Sequence, residues 1–528
     1  MENAKERKNV KFGIILSYVN LAVSIIGSFF ISNRVLFLIG DHNYGLFSFV
    51  NSITVWLTVI SAALNSSFVR FSTIDAKEKE GDSSRINTIY FKLFAILGLA
   101  VLVLGLSTIA TLYFTNTNFG KYDAEESKFI YILFALSIVN ISLTIPSTLF
   151  NLFVLYKQRF IFDKLLTILL SVANFTGHIL IAYFTRNVIY IAAYTIFITI
   201  VTFLFNFVYA RKRIGMKFAK ASLKENKLLL RQIVIFSGIL VFNAIVDQIN
   251  ANVDKTLLGF FSIPEDVTIY QFGQQFNVYL VSMSIAVSSV FTPRIHDLIA
   301  NDKQDEVNKL YLKVSKAQTI VMCLITFGFA ACGYDFITIW IGASRINVYY
   351  VGLILMAIDI CPLTLNSSIE IQRAKNKHLF RAIAYFAVAV GNIGLSILFL
   401  HLFPDDMKVF ACLLGSVIAR ICSHWIAINL YNKKVIGLPV GRYMLNLAIY
   451  FASSCIISGG ILLLRFYVLS PVISSSILLF LITGAMFVIL YAAFALILDR
   501  KFIFHFIKKR RGYESWWVCS QKQRLGNS

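Results

Sequence analysis

The sequence predicts an all-α polytopic membrane protein: about 14 transmembrane helices in two pseudo-symmetric six-helix lobes, two C-terminal helices and a central cavity. Three observations predict it. Of 528 residues, 58% are hydrophobic and only 14% charged, roughly half the 25% or so of a soluble domain. Apolar runs of about 20 residues recur along the whole chain, the length that crosses a hydrocarbon layer as a helix. Lys and Arg concentrate on alternate connecting segments, the signature of a fixed orientation. A transmembrane barrel would read as short alternating strands, and no such pattern is present.

The runs lie at 12–32, 44–64, 88–113, 128–153, 164–184, 188–209, 232–253, 268–291, 316–340, 347–369, 379–400, 408–430, 444–468 and 473–497. Met1–Lys11 is hydrophilic and the first run is long enough to span, so no cleaved signal peptide is expected. With a cytoplasmic N-terminus, 39 of the 49 Lys and Arg fall on inside segments. Only Arg34, Lys121, Lys128, Arg186, Lys255, Arg345, Lys408 and Arg465 fall outside, and Lys92 and Arg420 lie near span ends. Both termini are therefore expected in the cytoplasm. The net charge of +22 then reads as an orientation and lipid-surface feature, and nucleic acid is not an expected partner. The seven cysteines are odd in number, sit mostly within apolar runs and form no C-x-x-C pair. They read as small core residues, neither a disulfide framework nor a metal site.

An internal repeat organises the spans. Tyr44 to Arg70 parallels Tyr270 to Arg294, with Asn51 matching Asn277 and Arg34 matching Lys255. Pro146 and Pro362 each lie within a span, followed by a basic turn ("KQR" 157–159, "KNK" 375–377) and then Asn174 or Asn392. Six spans per half make the halves parallel, related by an axis along the membrane normal. The expected domains are an N-lobe at 1–209, a cytoplasmic amphipathic linker at 210–231 and a C-lobe at 232–430. Extra helices at 431–497 and a basic cytoplasmic tail at 498–528, with aromatic residues suited to an interface, complete the chain.

The seventh run carries the candidate chemistry. Asn243, Asp247, Asn250 and Asp254 follow spacings of four, three and four, which place them on one helix face. A carboxylate near the bilayer centre costs about 2.5–3.5 kcal/mol, whereas each apolar residue returns about 0.3–0.6 kcal/mol. Such a stripe must face protein or water. Comparable stripes occur in the first two runs of each half: Ser17, Asn20 and Ser24; Tyr44, Ser48 and Asn51; Tyr270, Gln274 and Asn277. Basic residues flank them, Arg34 and Lys255 at the outer ends, Arg70 and Arg294 at the inner ends. The expectation is a hydrated cleft with cations at both mouths. Single Ser and Thr residues are expected only to bond helices together, and His178 to be a satisfied core residue. Lys255 lies nearer to Asp254 than to Asp247 and is its expected partner, and Asp359 is a further intramembrane carboxylate.

The opening "NVKFGIILSYVNLAVSIIGSFFISNRVLFLIGDHNYGLFSFVNSI", above all "GDHNYGLFSFVNS" at 40–52, and the turn "YKQRF" at 156–160 resemble a known family. It is that of bacterial polysaccharide-repeat exporters, the O-antigen flippases (Wzx-type), within the multidrug/oligosaccharidyl-lipid/polysaccharide flippase superfamily. The resemblance implies an inner-membrane transporter of undecaprenyl-diphosphate-linked oligosaccharides, working by alternating access, with a polysaccharide polymerase and chain-length machinery as partners. Under that implication Arg34, Arg70, Lys255 and Arg294 would meet the diphosphate, since cations suit it by charge-assisted hydrogen bonding. Asn20, Asn51, Gln274 and Asn277 would contact sugar, because amides both donate and accept. Asp247, Asp254 and Asp359 would couple transport to H+ or Na+, or balance the cavity's cations; no other cofactor, and no metal, is expected. One rival is an ion-coupled drug or metabolite antiporter of the same superfamily, which wants an acidic, aromatic pocket. A second is a membrane enzyme acting on lipid-linked sugars. The longest outside loop is short and neither D-x-D nor a Walker A motif occurs, which counts against the enzyme and against ATP as an internal energy source.

Overall fold

In the computed structural model, residues 2–78, 83–223, 225–375, 377 and 379–525 are described. Side chains are described from Leu16 to Arg500 with interior gaps. Asn243 of the expected stripe falls in one gap, and the aromatic and basic side chains of the tail beyond Arg500 also lie outside the described residues.

The described chain is almost wholly helical and contains no β-strand among those residues. It divides into two compact units: Met1–Phe272 with Leu379–Ser423, and Gly273–His378 with His424–Ser528. The first unit holds α1 (Glu2–Thr54), α2 (Val59–Glu78), α3 (Ser84–Phe114), α4 (Ala124–Tyr156), α5 (Phe160–Thr185), α6 (Val188–Val208) and α7 (Lys227–Phe261). Helix α8 (Pro264–Ser289) starts in this unit and ends in the second. The second unit continues with α9 (Thr292–Ala300), α10 (Gln304–Ile341), α11 (Asn347–Thr364) and α12 (Asn366–Ala374). Helices α13 (Leu379–Leu402) and α14 (Lys408–Arg420) return to the first unit. The second unit is completed by the short α15 (Asn429–Tyr431) between π-helical turns, then α16 (Val440–Leu464) and α17 (Ser476–Leu525).

Eleven helices among the described residues are long and apolar enough to cross a membrane, or twelve if the bent pair α8 and α9 is one span. Helix α1 consists of two helical segments that meet at Gly40, whose φ of 83° only glycine adopts freely, and the first two expected runs fall on either side of that break. Helix α7 contains the seventh run. Pro146 lies inside α4 and Pro362 inside α11. Proline there removes a backbone donor, which a membrane helix tolerates when its neighbours cover the gap. In the first unit that neighbour is α3: a Cβ on Gly98 would stand 2.7 Å from the Ser142 carbonyl and 3.2 Å from Pro146 Cδ.

The core of the first unit gathers Phe68 and Phe71 from α2, Tyr90 and Phe94 from α3, and Phe150 and Phe153 from α4. The segment after α6 joins that core. A π turn over Tyr209–Ile214 ends at Gly215, where φ is 81°, and Met216 and Ala221 bury against the aromatic cluster. The chain there runs as a strap and not as a continuous helix, because α3 supplies its hydrogen bonds. Ala219 N–H donates to Ser84 O and Thr88 Oγ1, while Asn87 and Lys92 donate to the Lys217 and Ala221 carbonyls.

A close backbone approach in this unit occurs where α1, past its bend, crosses the start of α8. A methyl group on Gly45 would stand 1.9 Å from the Pro264 carbonyl oxygen, a clash with backbone that no rotamer relieves. Gly45→Ala is expected to cost about 1–3 kcal/mol or more, read as a lower midpoint in thermal unfolding of the detergent-solubilised protein.

Candidate functional site

The seven-residue interval from Asp247 to Asp254 puts both carboxylates on one face of α7, yet the fold treats them differently. Asp247 is exposed, whereas Asp254 is only 4% exposed. Three other helices close over Asp254. Tyr270 of α8 and Ser416 of α14 each donate a hydroxyl to its Oδ2 at 2.5 Å. Asn392 of α13 reaches Oδ1 with its Nδ2 at 3.4 Å and Ser416 Oγ at 3.1 Å. Ser396, one turn further along α13, donates to Asn392 Oδ1 at 3.2 Å. Cys412 Sγ points at the Asp254 carbonyl from 3.7 Å. All five partners are buried.

An isolated carboxylate so enclosed would cost several kcal/mol; three hydrogen bonds to its anionic form offset that. These donors are neutral; the nearby cation is the adjacent buried Lys255, whose ammonium feels the Asp254 charge without hydrogen-bonding to it. A carboxylate, two hydroxyls and an amide form a hard oxygen-rich set that can take up a proton or a small cation by turning the hydroxyl lone pairs inward. Elsewhere, no three His, Cys, Asp or Glu among the described residues gather as a metal would require.

The remaining expected residues fall into separate environments. Lys255 is buried and gives its ammonium to Gln271 Oε1 at 2.9 Å, not to the neighbouring Asp254. Arg34 and Asn51 are exposed, and Asn20 is half-buried with its carbonyl oxygen unsatisfied. Arg70 is exposed and lays its guanidinium over the Phe236 ring, 4.4 Å from the centroid. Asn277 is buried in the second unit and donates to Asp359 Oδ2 at 2.6 Å, while Gln274 is half-buried. Arg294 sits between Asp297 at 3.0 Å and Glu306 at 3.3 Å, which cancels much of its charge. His178 meets Thr195 Oγ1 at 3.3 Å and the edge of Tyr194. Matching positions of the repeat thus serve differently: Asn51 is open and Asn277 is bonded to a carboxylate.

Sequence reasoning overlooked Ser396, Cys412 and Ser416, which are small polar residues of an ordinary helix until Asp254 lies beside them. It also overlooked a buried ion pair in the second unit. Arg465 Nη2 and Nε clasp Asp335 at 2.5 and 3.0 Å, and the guanidinium lies 4.4 Å from the Tyr334 ring centroid. Asp499, at the bend of α17, receives Lys316 Nζ at 2.5 Å and Tyr450 Oη at 2.6 Å. One signal was available, since an Arg and an Asp in apolar runs need partners.

The chain is a helical membrane protein with a deeply held carboxylate, and comparison with known proteins narrows its class. The sequence matches the polysaccharide biosynthesis protein family over residues 10–299, and the chain belongs to that family. Among solved structures it resembles the lipid II flippase MurJ in an inward closed conformation, with a TM-score of 0.69 and 17% identity, covering 93% of this chain and 99% of that one. It also resembles an inward-facing multidrug resistance MATE family transporter of the MOP superfamily, with a TM-score of 0.55 and 14% identity over 80% of this chain and 99% of the other. An outward-facing transporter of that kind matches with a TM-score of 0.51, 12% identity and coverage of 85% and 96%. At these identities the likeness is one of fold. No curated protein matches the sequence.

Proposed function

We propose that the protein is a flippase that carries an undecaprenyl-diphosphate-linked oligosaccharide repeat unit across the bacterial inner membrane for cell-surface polysaccharide synthesis. Membership of the polysaccharide biosynthesis family over residues 10–299 carries this reading, and the MurJ-like fold supports it. The tail of such a substrate stays in lipid while its polar headgroup crosses between two lobes that open alternately to either side. Arg34, Arg70 and Lys255 are the cations assigned to the diphosphate; Arg294, already paired with two carboxylates, contributes less. Asn20, Asn51 and Gln274 are assigned to sugar. Asp254, rather than Asp247, takes the coupling H+ or Na+, because its carboxylate is enclosed by hydroxyl and amide groups that can turn toward a bound cation. Both termini lie in the cytoplasm, in keeping with the distribution of Lys and Arg, and the polymerase and chain-length proteins would receive the product outside.

A second reading is an ion-coupled antiporter of drugs or metabolites, favoured by the MATE-like fold and an enclosed carboxylate. Complementation separates the two. In a strain lacking the gene, loss of surface polysaccharide with unchanged drug sensitivity is expected. The wild-type gene restores the polysaccharide, and Arg34→Ala inserts normally but restores it poorly. Normal polysaccharide with altered drug sensitivity refutes the flippase, and labelling of single cysteines at either terminus from outside intact cells refutes the orientation.

A further inference from the structure

We propose that the second unit carries a pocket for the phosphate of an anionic glycerophospholipid headgroup, formed where the α9–α10 turn meets the end of α12. A cavity of about 330 Å³ lies there, at the lower end of small-molecule sites. Lys303, Lys375 and Lys377 line it together with Gln304 and Asp302, and Ile299 and Val307 give it an apolar side. Three ammonium groups face one carboxylate, so the pocket is cationic.

The lysines are held for this purpose. Lys375 Nζ donates to Gln304 Oε1 at 2.6 Å and to the Ile436 carbonyl at 3.2 Å. Gln304 is oriented in turn by its own Nε2, which donates to Asn308 Oδ1 at 3.0 Å. Lys377 Nζ reaches the Val435 carbonyl at 3.4 Å. These acceptors are neutral, and among the described residues neither Lys375 nor Lys377 makes an ion pair. Lys303 alone has a carboxylate, Glu306 at 3.4 Å. Partial burial, and then the nearby charge of Lys377, hold the Lys375 ammonium below the ordinary lysine range. Two like charges near enough to repel each other, with only neutral acceptors, gain when an anion joins them. A phosphate diester suits the lysines, and its glycerol suits the apolar side. Basic pockets at the ends of membrane helices bind lipid headgroups in this way.

The inference requires that the chain spans a membrane and is independent of what it transports. The test uses the full-length protein in nanodiscs of phosphatidylcholine with and without phosphatidylglycerol, followed by native mass spectrometry. The wild type is expected to retain phosphatidylglycerol selectively. At about 1 kcal/mol per lysine near a membrane surface, Lys377→Gln should weaken retention about fivefold and Lys375→Gln/Lys377→Gln about 30-fold, while Asp302→Asn should strengthen it. Lys377 is exposed, so the single variant remains informative if the double variant fails gel filtration. In a second arm, inorganic phosphate is added to detergent-solubilised protein and acetylation of Lys375 and Lys377 is followed. Protection by phosphate without selective lipid retention would assign the pocket to a soluble anion and overturn the lipid, and equal retention by wild type and variants would overturn the site. Polysaccharide complementation by the same variants is a separate readout and is expected to persist.

Discussion

Asp254→Asn is expected to cut transport about 100-fold while the protein still inserts and purifies as a single species. The substitution keeps the shape and leaves an amide oxygen to accept from Tyr270 and Ser416, which both donate to Oδ2 in the wild type. Only the weaker contact to Asn392, 3.4 Å long, is set donor against donor. What disappears is the negative charge, and with it the difference between empty and ion-bound states. Coupling free energies of about 1–3 kcal/mol correspond to 5–150-fold effects, and complete loss of the charge belongs at the upper end. Initial rates in proteoliposomes, with Na+ and pH gradients imposed separately, measure this and identify the ion. Asp247→Ala, at an exposed site, should have the smaller effect. Equal rates for wild type and Asp254→Asn under both gradients would remove Asp254 from the mechanism.

The second large effect concerns stability. Asp335 is 1% exposed and Arg465 6%, and the two form a two-bonded ion pair linking α10 to the turn after α16. Removing one partner strands the other charge, so Asp335→Ala should lose about 3–5 kcal/mol. Replacing both, as Asp335→Leu with Arg465→Met, should recover most of that loss, since apolar pairs of similar volume often equal or exceed a buried ion pair. Thermal unfolding of the three proteins in one detergent decides it. If the double variant is no more stable than Asp335→Ala, the stranded charge is not the cause.

The helical architecture was legible because span length and the placement of Lys and Arg are local properties of a chain that must satisfy its backbone within lipid. Gly40 is one place where that reading held: the two runs flank a polar turn, and the glycine's non-helical backbone at positive φ breaks α1 into two helical segments there. The site was legible only to the level of the helix. Periodicity placed Asp247 and Asp254 on one face but could not tell which was covered, since cover comes from Asn392 and Ser416 on helices encoded far downstream. Lys255 appeared to be the natural partner of Asp254 by proximity in sequence. A side chain one residue on points about 100° around a helix, and Lys255 finds Gln271 instead. Arg294 looked like a free cation, although Asp297, three residues on, was already a visible partner.

Two of the three hydrogen-bond donors to Asp254 arrive late in synthesis. Asn392 and Ser416 follow it by 138 and 162 residues, and the whole first stretch of the second unit is translated in between. At about 5–20 residues per second, a nascent chain waits roughly 7–30 s with Tyr270, 16 residues on, as the only one of the three donors already made. The first unit is therefore finished out of order, and ribosome stalling before residue 392 would leave an immature protein in which this carboxylate lacks two of its three hydrogen bonds.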